Sequence, residues 1–377
     1  MKKITFYLVT IIILPIYSCS QPFNTFEKTE IPIVQATDMG CPFVDCYSNS
    51  LAKTPWDMII FDNQLFVGSG NYNQNCGPAQ IACYDLATNE LKLSSVPDEE
   101  INKFAIINET LIAPGIDPMQ DWAYGNYYIF QNNSWKTVRS IPYGIHTFQI
   151  IEFDNKLFAA LGTEIGHFPI SVSENNGKSF VEVKVTKNNC PSPTLDSFND
   201  RIYNMFVIDS KLFAVKFSGG AYEVFMFNDG QFDYITQWIY DIVIPNTDPF
   251  VNKSGFIASI TYNNTYYFST GYLFKTQGVK NIKHIAFNDN KYIIDLYENN
   301  GHLFALAIKE NSNKSYTSAI YKINDNSTEL LFEVTESNYA ISFAVNNENF
   351  YLGFGYCDAN VDRTGKIIKY TYKGEFK

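Results

Sequence analysis

Arginine is the scarcest charged residue in this sequence: only Arg139, Arg201 and Arg363 occur among 377 residues. Lysine and arginine together number 28 against 39 acidic residues, which leaves a formal net charge of −11 at pH 7. Because affinity for nucleic acids comes from basic groups that release counterions from phosphates, this composition excludes a nucleic-acid-binding protein as the expected class. An acidic surface instead keeps an exported protein soluble.

Long apolar runs are also missing, except at the N-terminus. Residues 4–17 are almost entirely apolar and follow two lysines. This pattern predicts a secretory signal peptide over residues 1–18, too short to span a membrane. Ile16-Tyr17-Ser18-Cys19 resembles a bacterial lipobox, with Tyr17 in place of the usual small residue. The resemblance predicts lipidation of Cys19, a tether over residues 19–30, and a protein of the bacterial cell envelope that reaches the membrane through its lipid anchor only. The alternative is a secreted or periplasmic protein without lipid.

Six further cysteines remain if Cys19 carries lipid. An even number in an exported chain permits up to three disulfides, and the sequence does not choose among the pairings. No spacing matches a two-residue zinc pair, and buried free thiols are the alternative. The six are Cys41, Cys46, Cys76, Cys83, Cys190 and Cys357.

A short pattern recurs seven times along the chain: an Asn- or Asp-containing turn followed by two apolar residues. The first apolar residues of the seven copies are 46, 46, 55, 54, 37 and 47 positions apart. Aromatic residues make up 16% of the chain and favour strands. A period of roughly 40 to 50 residues made of short strands is typical of propeller blades. The sequence therefore predicts an all-β fold, a single seven-bladed β-propeller over residues 31–377. The seven residues are Leu65, Leu111, Leu157, Leu212, Tyr266, Leu303 and Phe350.

Each blade is expected to hold four strands, A to D. In the third repeat they are predicted at residues 146–153, 156–161, 168–173 and 178–185. The chain ends in what reads as strand C of the seventh blade, so the residues Ile31 to Gln35 are predicted to close that last blade as an N-terminal strand. A pair of β-sandwiches is the alternative, but sandwiches do not show a fixed period near 46 residues.

The segment Ser173 to Phe180 resembles the Asp-box of sialidase-like propellers, with Asn175, Ser179 and Phe180 in place of the usual Asp, Thr and Trp. Residues 68–162 also resemble bacterial exported propellers of unassigned function. The resemblance implies a turn between strands C and D on the face away from the ligand, and therefore a fold rather than a reaction. Sialidase chemistry itself needs a cluster of arginines to hold a carboxylate, which three scattered arginines do not favour.

The loops between strands B and C and between strands D and A gather on one face of a propeller, around its central channel. Aromatic rings and polar groups there predict a surface that binds sugars or peptides. Ordinary polar loops without a ligand are the alternative for each residue. The candidate ligand-binding residues are Asn71, Asn75, Asp117, Asp121, Trp122, His146, Glu164, His167 and Arg363.

A weaker metal hypothesis concerns Asp358, Asn360 and Asp362, which place oxygen-bearing side chains at alternate positions, as in a Ca²⁺ loop. The motif lacks the glycine after the third ligand and a bidentate Glu at its end. A solvated turn closed by Gly365 is the alternative. No other cofactor is expected.

Two functions follow from these patterns. The first is a tethered, monomeric binding or scaffold module that holds a glycan, peptide or protein partner in its top-face loops. The alternative is a glycan-active hydrolase or lyase at the mouth of the channel, which requires a histidine and a carboxylate, or two carboxylates, within catalytic reach.

Overall fold

The computed structural model describes residues 34–164, 166–186, 201–218, 221–238, 256, 258–287, 291–325, 327–356 and 358–374. The predicted signal peptide, Cys19 and the tether lie outside these residues, as do Cys190 and Cys357. The four cysteines that are described, Cys41, Cys46, Cys76 and Cys83, form no disulfide with one another. Among the described residues no helix is both long and apolar enough to cross a membrane.

Seven sheets, antiparallel except at one outer edge, follow one another as the blades of a β-propeller, which confirms the predicted fold. The first strand, β1 (Val34–Gly40), belongs to the last blade. Blade 1 consists of β2 (Met58–Phe61), β3 (Gln64–Gly68), β4 (Ala79–Asp85) and β5 (Leu91–Val96). After a short strand β6 (Asp98–Glu100), blade 2 consists of β7 (Ala105–Ile107), β8 (Thr110–Pro114), β10 (Tyr124–Gln131) and β11 (Ser134–Pro142), with β9 (Ile116–Pro118) in its B–C loop.

Blade 3 consists of β12 (Gly144–Phe153), β13 (Lys156–Thr163), β14 (Ile170–Ser173) and β15 (Val181–Glu182). Blade 4 consists of β16 (Val185–Thr186), β17 (Asn204–Ile208), β18 (Lys211–Ser218), β19 (Ala221–Asn228) and β20 (Gln231–Trp238). Blade 5 consists of β21 (Ala258–Tyr262), β22 (Thr265–Ser269), β23 (Leu273–Thr276) and β24 (Lys283–Ile285). Blade 6 consists of β25 (Tyr292–Asn299), β26 (His302–Glu310), β27 (Tyr316–Ile323) and β28 (Thr328–Glu336).

Blade 7 consists of β29 (Ala340–Asn346), β30 (Asn349–Phe354) and β31 (Ile367–Tyr372), completed by β1. In the described part of the chain, three short 3-10 helices lie in loops, at Leu51–Lys53, Tyr72–Gln74 and Asp358–Arg363.

The repeated Asn and Asp residues form the turns between strands A and B. In blade 1 the two turn residues Asp62 and Asn63 have φ values of 48° and 57°, and in blade 3 Asp154 and Asn155 have 52° and 56°. Two consecutive positive φ values are the signature of the tight hairpin whose twist matches that of its strands, and Asn and Asp reach them at low cost. The repeat seen in the sequence is therefore a repeat of hairpin turns.

The N-terminal strand closes the ring as predicted. Strand β1 runs antiparallel to β31, with Val34 opposite Tyr372 and Asp38 opposite Ile368. The Lys366 ammonium group lies 2.9 Å from an Asp38 carboxylate oxygen. The predicted segment began at Ile31, which lies outside the described residues.

The outer strand of blade 3 differs from its prediction over residues 178–185. Strand β15 has only two residues, and the chain then crosses to blade 4, where β16 pairs in parallel with β20. The reason is apolar packing, because Val183 and Val185 are buried in a cluster that contains Phe225 and Phe232 of blade 4.

The turn before β15 is closed by its own side chains. The Ser173 hydroxyl accepts the Gly177 N–H at 2.8 Å, and the Asn175 carboxamide oxygen accepts the Ser179 N–H at 3.0 Å. Phe180 is 5% exposed and lies edge-on against Tyr127 of blade 2. The turn thus fastens blade 3 to blade 2, whereas its assignment to the Asp-box type stays a prediction.

Gly177→Ala is expected to lower the free energy of unfolding by on the order of 3 kcal/mol. Gly177 has a φ of 78°, and a Cβ there would meet the Tyr127 hydroxyl. The matched control is Gly230→Ala, which has a φ of 81° and nothing within 4 Å of the added Cβ. Urea denaturation of both variants separates the two effects, and equal losses would contradict a tight contact at Gly177.

The blades are held together by apolar and aromatic side chains between neighbouring sheets. Between blades 1 and 2, Phe66 contacts Phe130 and Trp135 at centroid distances of 4.7 and 5.8 Å. Such edge-to-face aromatic pairs add about 0.5–1.5 kcal/mol each to the burial of apolar area. The core therefore lies between the blades.

Polar residues of the innermost strands bind the next blade across the channel wall. An Asp57 carboxylate oxygen accepts the Phe104 N–H at 2.6 Å, and an Asp295 oxygen accepts the Phe343 N–H at 3.0 Å. Between blades 3 and 4 the Gln149 carboxamide accepts the Met205 N–H at 2.7 Å. The channel contains a cavity of about 220 Å³ lined by Lys103 and residues of blades 2 to 5.

Candidate functional site

Two short strands from the loops of blades 1 and 2 build the floor of the candidate site. Strand β6 pairs with β9, with Glu100 opposite Ile116, and Ile116 in turn lies opposite His146 at the start of β12. Because β12 is the innermost strand of blade 3, β9 and β6 extend this sheet towards the channel. They place residues of three blades side by side on the top face.

His146 lies at the centre of this arrangement and is 8% exposed. An Arg201 guanidinium nitrogen lies 3.3 Å from His146 Nε2, and an Asp117 carboxylate oxygen lies 3.7 Å from His146 Nδ1. The Tyr72 ring packs edge-on against the imidazole, at a centroid distance of 5.2 Å. Blades 1 to 4 each contribute one of these four side chains, which we call the mouth cluster.

The His146 imidazole is neutral because burial, and then the positive charge of Arg201, lower its pKa to about 3. Since arginine only donates, His146 Nε2 accepts from it, and the proton of the neutral ring is carried by Nδ1. This N–H points towards Asp117 without reaching it. Burial raises the pKa of Asp117 to about 6, against the opposing charge of Arg201.

The three consecutive carboxyl groups of β6 lie beneath the mouth cluster. Burial raises the pKa of Asp98 to about 7 and that of Glu100 to about 8, and it also raises the pKa of Glu99. The Asp98 carboxylate accepts from the Tyr128 hydroxyl and from the Asn126 amide. At neutral pH much of this acidic cluster is therefore protonated and uncharged.

Several buried polar atoms around the mouth cluster have no hydrogen-bond partner among the described residues. They are His146 Nδ1, Asn71 Oδ1, Asp98 Oδ1 and Glu99 Oε2. Unpaired buried polar atoms cost on the order of 1–3 kcal/mol each, so native proteins leave few of them. Their concentration at one place on the top face marks a site built to receive hydrogen-bonding groups.

The predicted residues Asp121 and Trp122 lie further out on blade 2. Asp121 forms an ion pair with Arg139 at 2.6 Å. The pKa of Asp121 is lowered mainly by the hydrogen bond from the Ala123 backbone N–H and further by Arg139. The Trp122 side chain is 52% exposed. Both residues lie outside the mouth cluster but on the same loop as Asp117.

His167 pairs with Glu182 at 3.0 Å and stacks on Tyr143 at a centroid distance of 3.5 Å. Glu164 is exposed, and no contact joins it to His146. The histidine and carboxylate side chains predicted for blade 3 therefore do not lie together. Of the predicted histidine and carboxylate residues, only Asp117 and His146 lie close to each other.

The remaining candidates are Asn71, Asn75 and Arg363. Asn71 is 6% exposed and precedes the 3-10 helix at Tyr72–Gln74, whereas Asn75 ends that helix in the left-handed region, with a φ of 47°. Arg363 forms an ion pair with Glu336 at 2.9 Å. Asn71 alone of these three is close to the mouth cluster in the chain and buried with it.

The predicted Ca²⁺ loop forms a 3-10 helix over Asp358–Arg363. The side chains of Asp358 and Asn360 lie outside the described part of the chain, so the calcium hypothesis stays a prediction. Within the described residues no group of three or more His, Cys, Asp or Glu side chains is arranged to hold a metal ion.

The sequence prediction missed Arg201 and the acidic residues of β6 as members of the site, and its list of candidate residues took Asn71 and Asn75 from the first B–C loop but not Tyr72. The signal that points to Asp98, Glu99 and Glu100 is their position in the loop from blade 1 to blade 2, which the same top-face rule covers. Arg201 carries no local signal, because only the closed ring brings it 3.3 Å from His146.

No protein-family model and no curated protein matches this chain. Among solved structures, the β-propeller domain of the Trilobed protease from Pyrococcus furiosus, described as having an open velcro topology, is similar with a TM-score of 0.50 and 9% identity, over 86% of this chain and 95% of that one. Sqt1 from Saccharomyces cerevisiae is similar with a TM-score of 0.47 and 9% identity, over 87% and 98% of the two chains. An acylaminoacyl peptidase from Pyrococcus horikoshii has a TM-score of 0.47 and 10% identity, over 82% of this chain and 50% of that one. At these identities the likeness concerns the fold alone.

Proposed function

We propose that this protein is a binding module that holds a glycan at the mouth cluster on its top face. The observation that carries the proposal is the set of buried, unpartnered polar atoms around Asp117 and His146. A ligand with several hydroxyl groups pairs with both the acceptors and the donor of this set. A hydroxyl donates to the carboxyl and amide oxygens and accepts from His146 Nδ1–H.

The electrostatics of the site favour a neutral ligand. The imidazole is uncharged, and the raised pKa values of Asp98 and Glu100 hold these carboxyl groups partly or largely protonated near neutral pH. Asp117, with a pKa of about 6, is mostly ionised at pH 7 and balances the positive charge of Arg201. Neutral hydrogen-bonding groups in a partly buried site select hydroxyls by pairing rather than by charge. The Tyr72 ring supplies an aromatic surface for the apolar face of a sugar.

We also propose that the signal peptide over residues 1–18 exports the protein and that a lipid on Cys19 anchors it to the bacterial cell envelope, as a propeller of the Asp-box type. The motivation is the charged and apolar N-terminal pattern. Metabolic labelling with palmitate tests the anchor, and persistence of the label in Cys19→Ala would contradict it.

Asp117→Asn is expected to weaken glycan binding at least tenfold, because one hydrogen bond to a buried partner is lost. The test is affinity electrophoresis of the purified protein in gels that contain dextran, mannan, xylan or galactan, alongside a glycan array. Asp229→Asn, in an exposed turn of blade 4 with a φ of 47°, is the matched control. If the wild-type protein binds no glycan in either assay, the proposal is overturned.

A second candidate function, a glycan-active hydrolase or lyase, rests on the pair Asp117 and His146. A carboxyl group whose pKa is raised to about 6 beside a neutral imidazole has the properties of a general acid and base. The two functions differ in one measurement: an enzyme releases reducing ends from the bound polysaccharide over time, and Asp117→Asn abolishes the release.

A further inference from the structure

Four large apolar side chains stand exposed together at the top of blade 2. Met119, Trp122, Tyr124 and Tyr143 are 53%, 52%, 47% and 37% exposed. The backbone holds Trp122, Tyr124 and Tyr143 near one another, because the Tyr143 N–H donates to the Ala123 carbonyl at 3.0 Å and Tyr124 lies opposite Pro142. Met119 precedes Trp122 by three residues in the same loop. We call these four side chains the aromatic platform.

The backbone of Tyr143 has an unusual conformation. Its φ is 54°, in the left-handed region that bulky side chains rarely adopt. The preceding strand, the hydrogen bond to Ala123 and the stack on His167 hold it there. Such strained positions persist when the surrounding structure fixes them, and they occur mainly at functional sites.

Polar groups border the platform. The Arg139 guanidinium donates to both the backbone oxygen and a carboxylate oxygen of Asp121, each at 2.6 Å, and His167 Nδ1 lies 3.0 Å from a Glu182 oxygen. Rings with fixed hydrogen-bonding groups at their edges suit a ligand that has an apolar face and a polar rim.

The exposed area of the aromatic platform indicates whether a protein or a sugar binds there. Its side chains together expose on the order of 400 Å², taking about 200 Å² for each large side chain. A stable protein partner needs about 800 Å² on each side. The platform is therefore too small for a protein interface, whereas each ring accommodates at most one sugar unit.

The platform and the mouth cluster share a loop of blade 2. The loop that begins with Asp117 in β9 leads directly through Met119 and Trp122 to Tyr124 in β10. We propose that the ligand is an oligosaccharide or polysaccharide that binds the mouth cluster with one unit and extends outwards over the aromatic platform. This inference rests on the proposed glycan-binding function and adds to it the length and path of the ligand.

The test uses affinity electrophoresis in gels with dextran, mannan, xylan or galactan, with glucose, mannose, xylose or galactose as competitors. Trp122→Ala and Tyr143→Gly are each expected to weaken retention by the polysaccharide about three- to tenfold. The inhibition constant of the competing monosaccharide is expected to stay unchanged, because one unit occupies the mouth cluster alone. Tyr272→Ala, which removes a side chain that is also 37% exposed but on blade 5, is the matched control.

Tyr143→Gly also separates a binding role from a structural one. Glycine adopts a positive φ without strain, so the melting temperature of this variant is expected to lie within about 2 °C of the wild-type value. A melting temperature lowered further, together with weaker binding, would assign Tyr143 to stability instead.

The outcomes of the electrophoresis are distinct. Retention that is the same in Trp122→Ala, Tyr143→Gly and wild type overturns the extended path and leaves glycan binding at the mouth cluster intact. Absence of retention of the wild-type protein by all four polysaccharides overturns both proposals. If Trp122→Ala weakens binding of the monosaccharide as well as of the polysaccharide, the first sugar unit lies on the platform. This outcome would contradict the proposed path.

Discussion

A chain that begins at residue 41, and so lacks β1, is expected to unfold at a far lower urea concentration than the full protein. Strand β1 supplies the whole outer edge of blade 7 through six residue pairs with β31. At about 1 kcal/mol net for each hydrogen bond, the loss is on the order of 5 kcal/mol, among the largest single effects in proteins of this kind.

The truncation also exposes the edge of β31. Tyr370 and Tyr372 are 3% and 6% exposed in the closed ring, and Val34 and Met39 pack against their cluster. An uncovered strand edge beside apolar side chains pairs with other chains. The truncated protein is therefore expected to self-associate, which analytical ultracentrifugation measures.

A chain that begins at residue 34 is the control and is expected to keep the urea midpoint of the full protein. A synthetic peptide of residues 34–40 is expected to restore part of the stability of the shorter chain. If the chain that begins at residue 41 keeps the urea midpoint of the full protein, the contacts between blades 1 and 7 are sufficient to close the ring without β1. This result would contradict the prediction.

The free energy of unfolding is expected to fall as the pH rises from 6.5 to 8. Burial raises the pKa of Asp98 from 3.8 to about 7 and that of Glu100 from 4.5 to about 8 in the folded protein. The folded state therefore binds more protons than the unfolded state until the pH passes these values, and stability decreases with pH across that window. The expected loss is on the order of 2 kcal/mol.

At lower pH the titration of His146 has the opposite effect on the free energy of unfolding. Its pKa is about 3 in the folded state and 6.5 unfolded, so below pH 6.5 the unfolded state takes up the extra proton and stability falls on acidification. Two carboxyl groups oppose this single imidazole between about pH 4.5 and 6.5, so the pH of maximum stability is expected below about pH 4.5. The window from pH 6.5 to 8 lies above the range in which protonation of His146 lowers stability.

Glu100→Gln is the diagnostic variant, because it removes the titration and keeps the shape of the side chain. The dependence of unfolding free energy on pH between 6.5 and 8 is expected to fall by about half, as measured by urea denaturation at several pH values. Glu109→Gln, in an exposed turn, is the control and should keep the wild-type slope. An undiminished slope in Glu100→Gln would show that other groups titrate in this window.

The sequence by itself determined the elements that depend on neighbouring residues. The Asp and Asn residues at 62–63 and 154–155 reach positive φ values within their own turns, so their spacing predicted seven hairpins and hence seven blades. The seventh repeat lacks a fourth strand of its own, and this predicted that an N-terminal strand closes the last blade, as β1 does. The loop rule also identified Asp117 and His146.

Only the tertiary structure decided which of the top-face residues meet. Arg201 lies 55 positions from His146, and Asp98 lies 30 positions from Tyr128, yet each pair is in contact. No local pattern encodes such a contact, because it depends on how neighbouring blades pack. The same holds for the crossing of Val185 to blade 4. Local turn chemistry thus fixed the number of blades, whereas packing between blades, and the burial that shifts the pKa values, created the site.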